Sequence, residues 1–162
     1  MFGRVLDAAC GVGYGSYLLA KNPDVTYING VDCDSESIEF ANENFKSEKI
    51  SFECSKIEDI KGNYDVLVSL ETIEHLEEPK ALAGLAQRCN IKEILVSFPV
   101  KKTTHYNKYH LWDLDAYDVK YVFSNYECIN EIMNGDSMIM HFIRREKKGY
   151  PAKRYLESKL MD

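Results

Sequence analysis

An apolar strand that ends in an acid and breaks at once into glycines opens this chain: Arg4-Val5-Leu6-Asp7-Ala8-Ala9-Cys10-Gly11-Val12-Gly13-Tyr14-Gly15. Glycine turns a backbone at φ > 0 and lets a ligand approach with no Cβ in the way, and a helix that follows offers unpaired N–H groups at its start. The pattern predicts a ligand site inside the first loop, at the carboxyl end of the first strand.

The rest of the chain alternates hydrophobic runs with amphipathic stretches, which assigns it to the α/β class with a mostly parallel sheet. Strands are predicted over residues 4–8, 27–31, 50–54, 64–70 and 93–98. A helix with Tyr17, Leu18 and Ala20 precedes Asn22-Pro23, and Asp34 or Ser35 caps a second, with Ile38, Ala41 and Phe45 on one face. Pro79 suits the first turn of a third helix, whose Leu82, Leu85, Ala86 and Cys89 share a face. Asp113 is expected to cap a fourth that runs to about Phe123. Asn134-Gly135-Asp136 then splits a terminal strand pair, around Tyr126 to Met133 and Ser137 to Arg144.

With 162 residues, 45% hydrophobic and 28% charged, the chain is expected to form one globular domain over 1–162, residues 144–162 being a basic tail. The sequence contains no apolar run of the roughly 18 to 20 residues that a membrane span needs and shows no signal peptide, so a cytoplasmic location is expected. Its five cysteines, Cys10, Cys33, Cys54, Cys89 and Cys128, form no C-x-x-C pair and are expected to be reduced, buried thiols. The net charge of −6 disfavours broad nucleic-acid binding, although residues 143–162 carry seven bases against three acids.

The first loop resembles motif I of the class I S-adenosylmethionine-dependent methyltransferases, an acid followed by glycines two, four and six positions on: here Asp7 is followed by Ala9, Gly11 and Gly13, alanine standing in for the first glycine. A dinucleotide fingerprint would need G-x-G-x-x-G, and Gly11, Gly13 and Gly15 do not supply that spacing, so a nicotinamide enzyme is a distant alternative. Gly30-Val31-Asp32 sets an acid at the tip of the second strand, where a carboxylate can accept hydrogen bonds from both ribose hydroxyls. Ser69 to Pro79 resembles motif IV of the same superfamily, in the subgroup with an E-H-L-x-x-P ending. Resemblance over nearly the whole chain implies a Rossmann-like seven-stranded sheet, mostly parallel with an antiparallel last strand and helices on both faces. The family's helical segment before strand one has no counterpart ahead of Arg4, which implies a minimal version, a fragment, or a subunit completed by a partner.

The resemblance implies a cofactor, S-adenosylmethionine, held by Asp7, Ala9, Gly11, Gly13, Asp32, Cys33, Ile57, Ser69 and Leu70. Lys56 falls where the family usually has the acid that bonds the adenine amino group, with Glu58 and Asp59 just beyond; a lysine cannot accept that hydrogen bond. His75 and His110 are the catalytic candidates. Glu71, Glu74 and His75 with His110 or His105 resemble a metal site of methyltransferases that modify ribose 2′-hydroxyls of small RNAs, and would hold magnesium or manganese; a solvated acidic turn with a substrate-positioning histidine is the plainer reading. The expected reaction is O-methylation of a small molecule or sugar, since an N-P-P-[YF] loop is absent. Alternatives are metal-assisted ribose 2′-O-methylation of RNA, and a non-catalytic cofactor-binding subunit that needs a partner.

Overall fold

The computed structural model describes residues 3–145. Seven strands form one sheet: β1 (Gly3–Ala8), β2 (Val25–Asp32), β3 (Ile50–Cys54), β4 (Val66–Leu70), β5 (Glu93–Pro99), β6 (Tyr126–Asn134) and β7 (Ser137–Arg144). Their spatial order is β3-β2-β1-β4-β5-β7-β6. The first five are parallel, and β7 lies antiparallel between β5 and β6. The expected α/β sheet with an antiparallel last strand is therefore present. Crossovers run outward in opposite directions from β1 and β4, so the loops after these two strands diverge and leave a crevice at their carboxyl ends.

Four helices connect the strands: α1 (Tyr14–Leu19), α2 (Ser35–Asn44), α3 (Lys80–Arg88) and α4 (Ala116–Val122). Alternation along β1 assigns the two faces. Leu6 and Ala8 join a large core with Leu82, Leu85 and Ala86 of α3 and Val119 and Val122 of α4. Val5 joins a smaller cluster with Ile28, Val66 and Val68, against which Leu19 and Ala20 pack. The Phe52 ring packs closely on the start of α1 and on β2, since a Cβ on Gly13 or Gly30 would come within 2.7 Å of it.

Three local expectations are corrected. Asp113 does not cap α4; Asp115 does, accepting from Tyr117 N and Asp118 N, while Asp118 returns a bond to the Asp115 N–H. That reciprocal box satisfies two orphan donors and outcompetes a cap two residues earlier. Strand β4 starts at Val66 rather than Tyr64, since Asp65 turns its carboxylate to Arg4 N and Lys92 Nζ. The cysteines are all free thiols, but Cys89 alone is buried, and Cys33 and Cys54 are exposed at the carboxyl ends of β2 and β3. No helix among the described residues is long and apolar enough to cross a membrane. The expected basic tail lies outside them beyond Arg145.

Candidate functional site

The glycine loop folds around two carboxylates. Asp7 is buried at the end of β1 and accepts from Ser16 Oγ at 2.6 Å. Burial, opposed by that bond and reinforced by the nearby charge of Asp32, raises its pKa to about 6. Asp32 ends β2 and accepts from Gly11 N through Oδ2 at 2.8 Å and from Asp34 N through Oδ1 at 3.0 Å. Each oxygen keeps a free lone pair, so the carboxylate braces the loop and can still accept from two ligand hydroxyls. Cys10 lies between these acids, and burial and their charge push its thiol up to about 12.

The loop needs left-handed backbone at three alternate positions: Ala9, Gly11 and Gly13 have φ of 62°, 53° and 85°. Ala9 carries a Cβ in that conformation, a strain of the kind that clusters at ligand clamps. A Cβ on Gly11 would meet nothing within 4 Å, which leaves its backbone open to an approaching group.

A cleft of about 500 Å³ begins here. Ala9, Asp32 and Cys33 line one end, Ser55, Lys56, Ile57 and Glu58 after β3 line the middle, and Glu71, Thr72, His75 and Leu76 after β4 line the other end. Its size suits a cofactor-sized ligand. Ser69 is fully buried below it, and its hydroxyl finds no partner; Leu70 is exposed.

The far end is assembled from two loops distant in sequence. Glu71 has φ of 49°, and its Oε1 accepts from the Ser97 hydroxyl at 2.7 Å. Glu74 and His75 lie on a single 3-10 turn, Ile73–His75. His75 Nδ1 donates to Tyr109 O at 2.8 Å, since a carbonyl can only accept, which leaves Nε2 of the neutral ring as a proton acceptor. His110 stacks edge-on against His75 with centroids 4.6 Å apart, and its Nδ1 is 2.6 Å from Thr103 Oγ1. Burial and the neighbouring His75 lower the His110 pKa, which keeps that ring neutral at physiological pH.

Glu74 is 1% exposed, and neither of its carboxylate oxygens has a hydrogen-bond partner. Burial, with Glu71 nearby, raises its pKa to about 6 despite the adjacent His75. Glu74, His75 and His110 each offer one ligand atom, all within 4.8 Å of one another. His105 does not join them and instead packs edge-on against Tyr106. Sequence reasoning missed Thr103, Tyr109 and Ser97, which hold His110, His75 and Glu71; a threonine, a backbone carbonyl and a strand serine carry no motif by which to find them.

A methyltransferase domain family matches residues 3–110. The mitochondrial ubiquinone biosynthesis O-methyltransferase of Saccharomyces cerevisiae is 34% identical over 83 residues, 48% of this chain and 27% of that protein. Phosphoethanolamine N-methyltransferase 3 of Arabidopsis thaliana is 37% identical over 84 residues, 49% of this chain and 17% of that one. The chain thus spans well under a third of the length of either relative. Among solved structures, the magnesium protoporphyrin IX methyltransferase of Synechocystis with bound SAH superimposes with a TM-score of 0.74 at 20% identity, covering 87% of this chain and 74% of that one.

Proposed function

The chain belongs to the methyltransferase domain family that matches residues 3–110, and on that premise we propose that it binds S-adenosylmethionine and transfers the methyl group to a hydroxyl of a small molecule or sugar. The observation that carries this reading is the single cleft running from Asp32 to His75. In it, Asp32 accepts from the ribose hydroxyls, Ile57 packs on the adenine, and the glycine loop with the backbone at Ser69 and Leu70 holds the methionine portion. Asp7, behind the loop, supplies negative charge beneath a cationic cofactor.

The sulfonium is already a good electrophile, so the protein's contribution is to align nucleophile, methyl carbon and sulfur and to take up a proton. As the oxygen–carbon bond forms, the sulfur–carbon bond breaks with its pair to sulfur. The hydroxyl proton passes to an imidazole. His75 is suited to that role because its Nδ1–H is tied to Tyr109 O, while its Nε2, 3.8 Å from Glu74 Oε1, makes no hydrogen bond and has a carboxylate beside it to favour the proton it takes up. A hydroxyl needs such a base more than a neutral amine does, which together with the absent N-P-P-[YF] loop favours oxygen. Titration calorimetry with S-adenosylhomocysteine and with NAD tests the cofactor: binding of the first and not the second is expected, and no heat with S-adenosylhomocysteine overturns the reading.

A second reading is favoured by the orphaned Glu74 carboxylate beside two imidazoles. The donor set fits a divalent cation: Glu74 through a carboxylate oxygen, His75 and His110 through Nε2, their Nδ1 atoms being engaged. Such a cation would lower the pKa of a bound hydroxyl. Glu71 stays outside this set, turned to Ser97. Methyl transfer lost in chelator and restored by magnesium or manganese supports this reading, and unchanged transfer in chelator removes it.

A further inference from the structure

Two adjoining cavities lie at the other end of the sheet. The larger, about 710 Å³, is lined by Asn90 after α3, by Asn125 and Tyr126 where β6 begins, and by Arg144 and Arg145 where β7 ends. The smaller, about 280 Å³, is lined by residues of α3 and α4, among them Lys80 and Tyr121, and shares Gln87, Ser124 and Asn125 with the first. Arg144 pairs with Tyr126, and its backbone N–H donates to Lys92 O just ahead of β5. The arginines therefore stand at the amino ends of the parallel strands, and the cofactor cleft at the carboxyl ends.

Among the described residues, the two cavities are lined by three cations and no acid, in a chain of net charge −6. Lys80 is engaged: its ammonium sits over the Tyr121 ring, 4.5 Å from the centroid, and lies 3.4 Å from the Tyr121 hydroxyl. The arginines are not neutralised in this way. Arg144 Nη1 donates to Asn90 Oδ1 at 2.7 Å and Arg145 Nε to Tyr126 O at 3.2 Å, both uncharged acceptors. Neither arginine has an ion pair among the described residues. A guanidinium carries five N–H donors, so each side chain keeps four to offer. Asn90, whose Oδ1 is taken, keeps its amide hydrogens.

We infer that this groove is a second ligand site, for a phosphate monoester of a small organic molecule, its phosphate bound by Arg144 and Arg145 and its organic group lying along α3 at Ala83 and Gly84. The site is independent of the methyl-transfer reading. Charge and space carry the assignment. The planar fork of arginine matches phosphate oxygens two at a time. Two guanidinium groups without a counter-ion balance a phosphate dianion, whereas a carboxylate would leave one of them over. Ala83 and Gly84 keep the space between α3 and α4 open, and a Cβ on Gly84 would meet nothing within 4 Å.

The test follows amide NMR shifts of the full chain titrated with phenyl phosphate, inorganic phosphate, benzoate, phenol and a phosphoserine tetrapeptide. Phenyl phosphate is expected to give saturable shifts at residues 83–90, 124–126 and 144–145, fading as salt rises. It should bind at least about threefold more tightly than singly charged benzoate, and about tenfold more tightly than inorganic phosphate, which lacks the ring. Phenol should leave these residues unshifted. Arg144→Ala/Arg145→Ala is expected to abolish the response, and Arg145→Ala alone, at an exposed position, to weaken it at least about fivefold. Gly84→Leu, a change that helix propensity favours, should reduce phenyl phosphate to the affinity of inorganic phosphate while leaving inorganic phosphate itself unchanged. All three variants are expected to keep the dispersed amide spectrum of the parent. Absence of saturable shifts at these residues, benzoate or phenol binding as well as phenyl phosphate, or a response that survives the double substitution would each overturn the inference. So would full phenyl phosphate affinity in Gly84→Leu, and tighter binding of the phosphopeptide would overturn it in favour of a protein partner.

Discussion

The two ends of the cleft are built by different means. At the Asp32 end the binding groups sit on the tips of neighbouring parallel strands and brace one another, as where Gly11 N donates to the Asp32 carboxylate. At the His75 end the groups come from loops more than thirty residues apart, joined by His75 Nδ1 to Tyr109 O and Leu111 N to Glu74 O. The first end is set by the register of the parallel strands that carry it. The second is held by contacts that could be changed one at a time without unfolding the sheet, which is how a shared scaffold acquires different acceptors.

That contrast predicts separable damage. Replacing Asp32 by Ala removes the brace on Gly11 and Asp34 together with the ribose acceptor, and should weaken S-adenosylhomocysteine binding by about 1000-fold, roughly 4 kcal/mol, in calorimetry. An effect below about tenfold would break the assignment of that end. His75→Ala should instead leave S-adenosylhomocysteine affinity within about twofold and lower kcat by roughly 100-fold. Loss of cofactor affinity with kcat preserved would mean that the two ends are not distinct.

Asp7 gives a smaller effect of opposite sign on stability and binding. Its pKa is raised from 3.8 to about 6, so between those values the native state keeps a proton that the unfolded chain has released. Ionising it therefore costs stability as pH rises through that window, and the cost is fully present above it. Asp7→Asn should stabilise the ligand-free protein by roughly 2 kcal/mol at pH 8 and by much less at pH 4, while weakening cofactor binding. Chemical denaturation at the two pH values measures this, and equal effects at both would contradict it. Smallest is Ala9→Gly, which relieves a left-handed Cβ and should gain about 0.5 kcal/mol in the same assay, part of the relief being offset by the freer unfolded chain.

How much could be read from sequence follows the same division. The turn that carries Asp7, Ala9, Gly11, Gly13 and the strand tip at Asp32 was legible as local structure, because a strand end, a left-handed turn and a helix start have strict residue requirements. The core face of α3 was legible for a similar reason, through the 3.6-residue spacing of Leu82, Leu85 and Ala86. The role of Asp113 was not, because an aspartate before a helix serves equally well as a cap or as a clamp on an earlier loop, and the choice is made by Asp118 and by Thr103 and Thr104. Pairing His75 with His110 rather than His105 depended on the fold of residues 100–112, where Thr103 bonds His110 and His105 turns to Tyr106. The exposure of Cys33 and Cys54 escaped for a related reason, since a cysteine count reports redox chemistry and not position at the ends of β2 and β3.

The central claim is that the cleft from Asp32 to His75 is a cofactor site, and amide NMR of the isotopically labelled chain titrated with S-adenosylhomocysteine tests it most directly. Saturable shifts concentrated at residues 9–13, 32–34, 55–58 and 69–72, with β6 and β7 undisturbed, are predicted. An unchanged spectrum, or shifts centred away from the carboxyl ends of β1, β2 and β4, would contradict it.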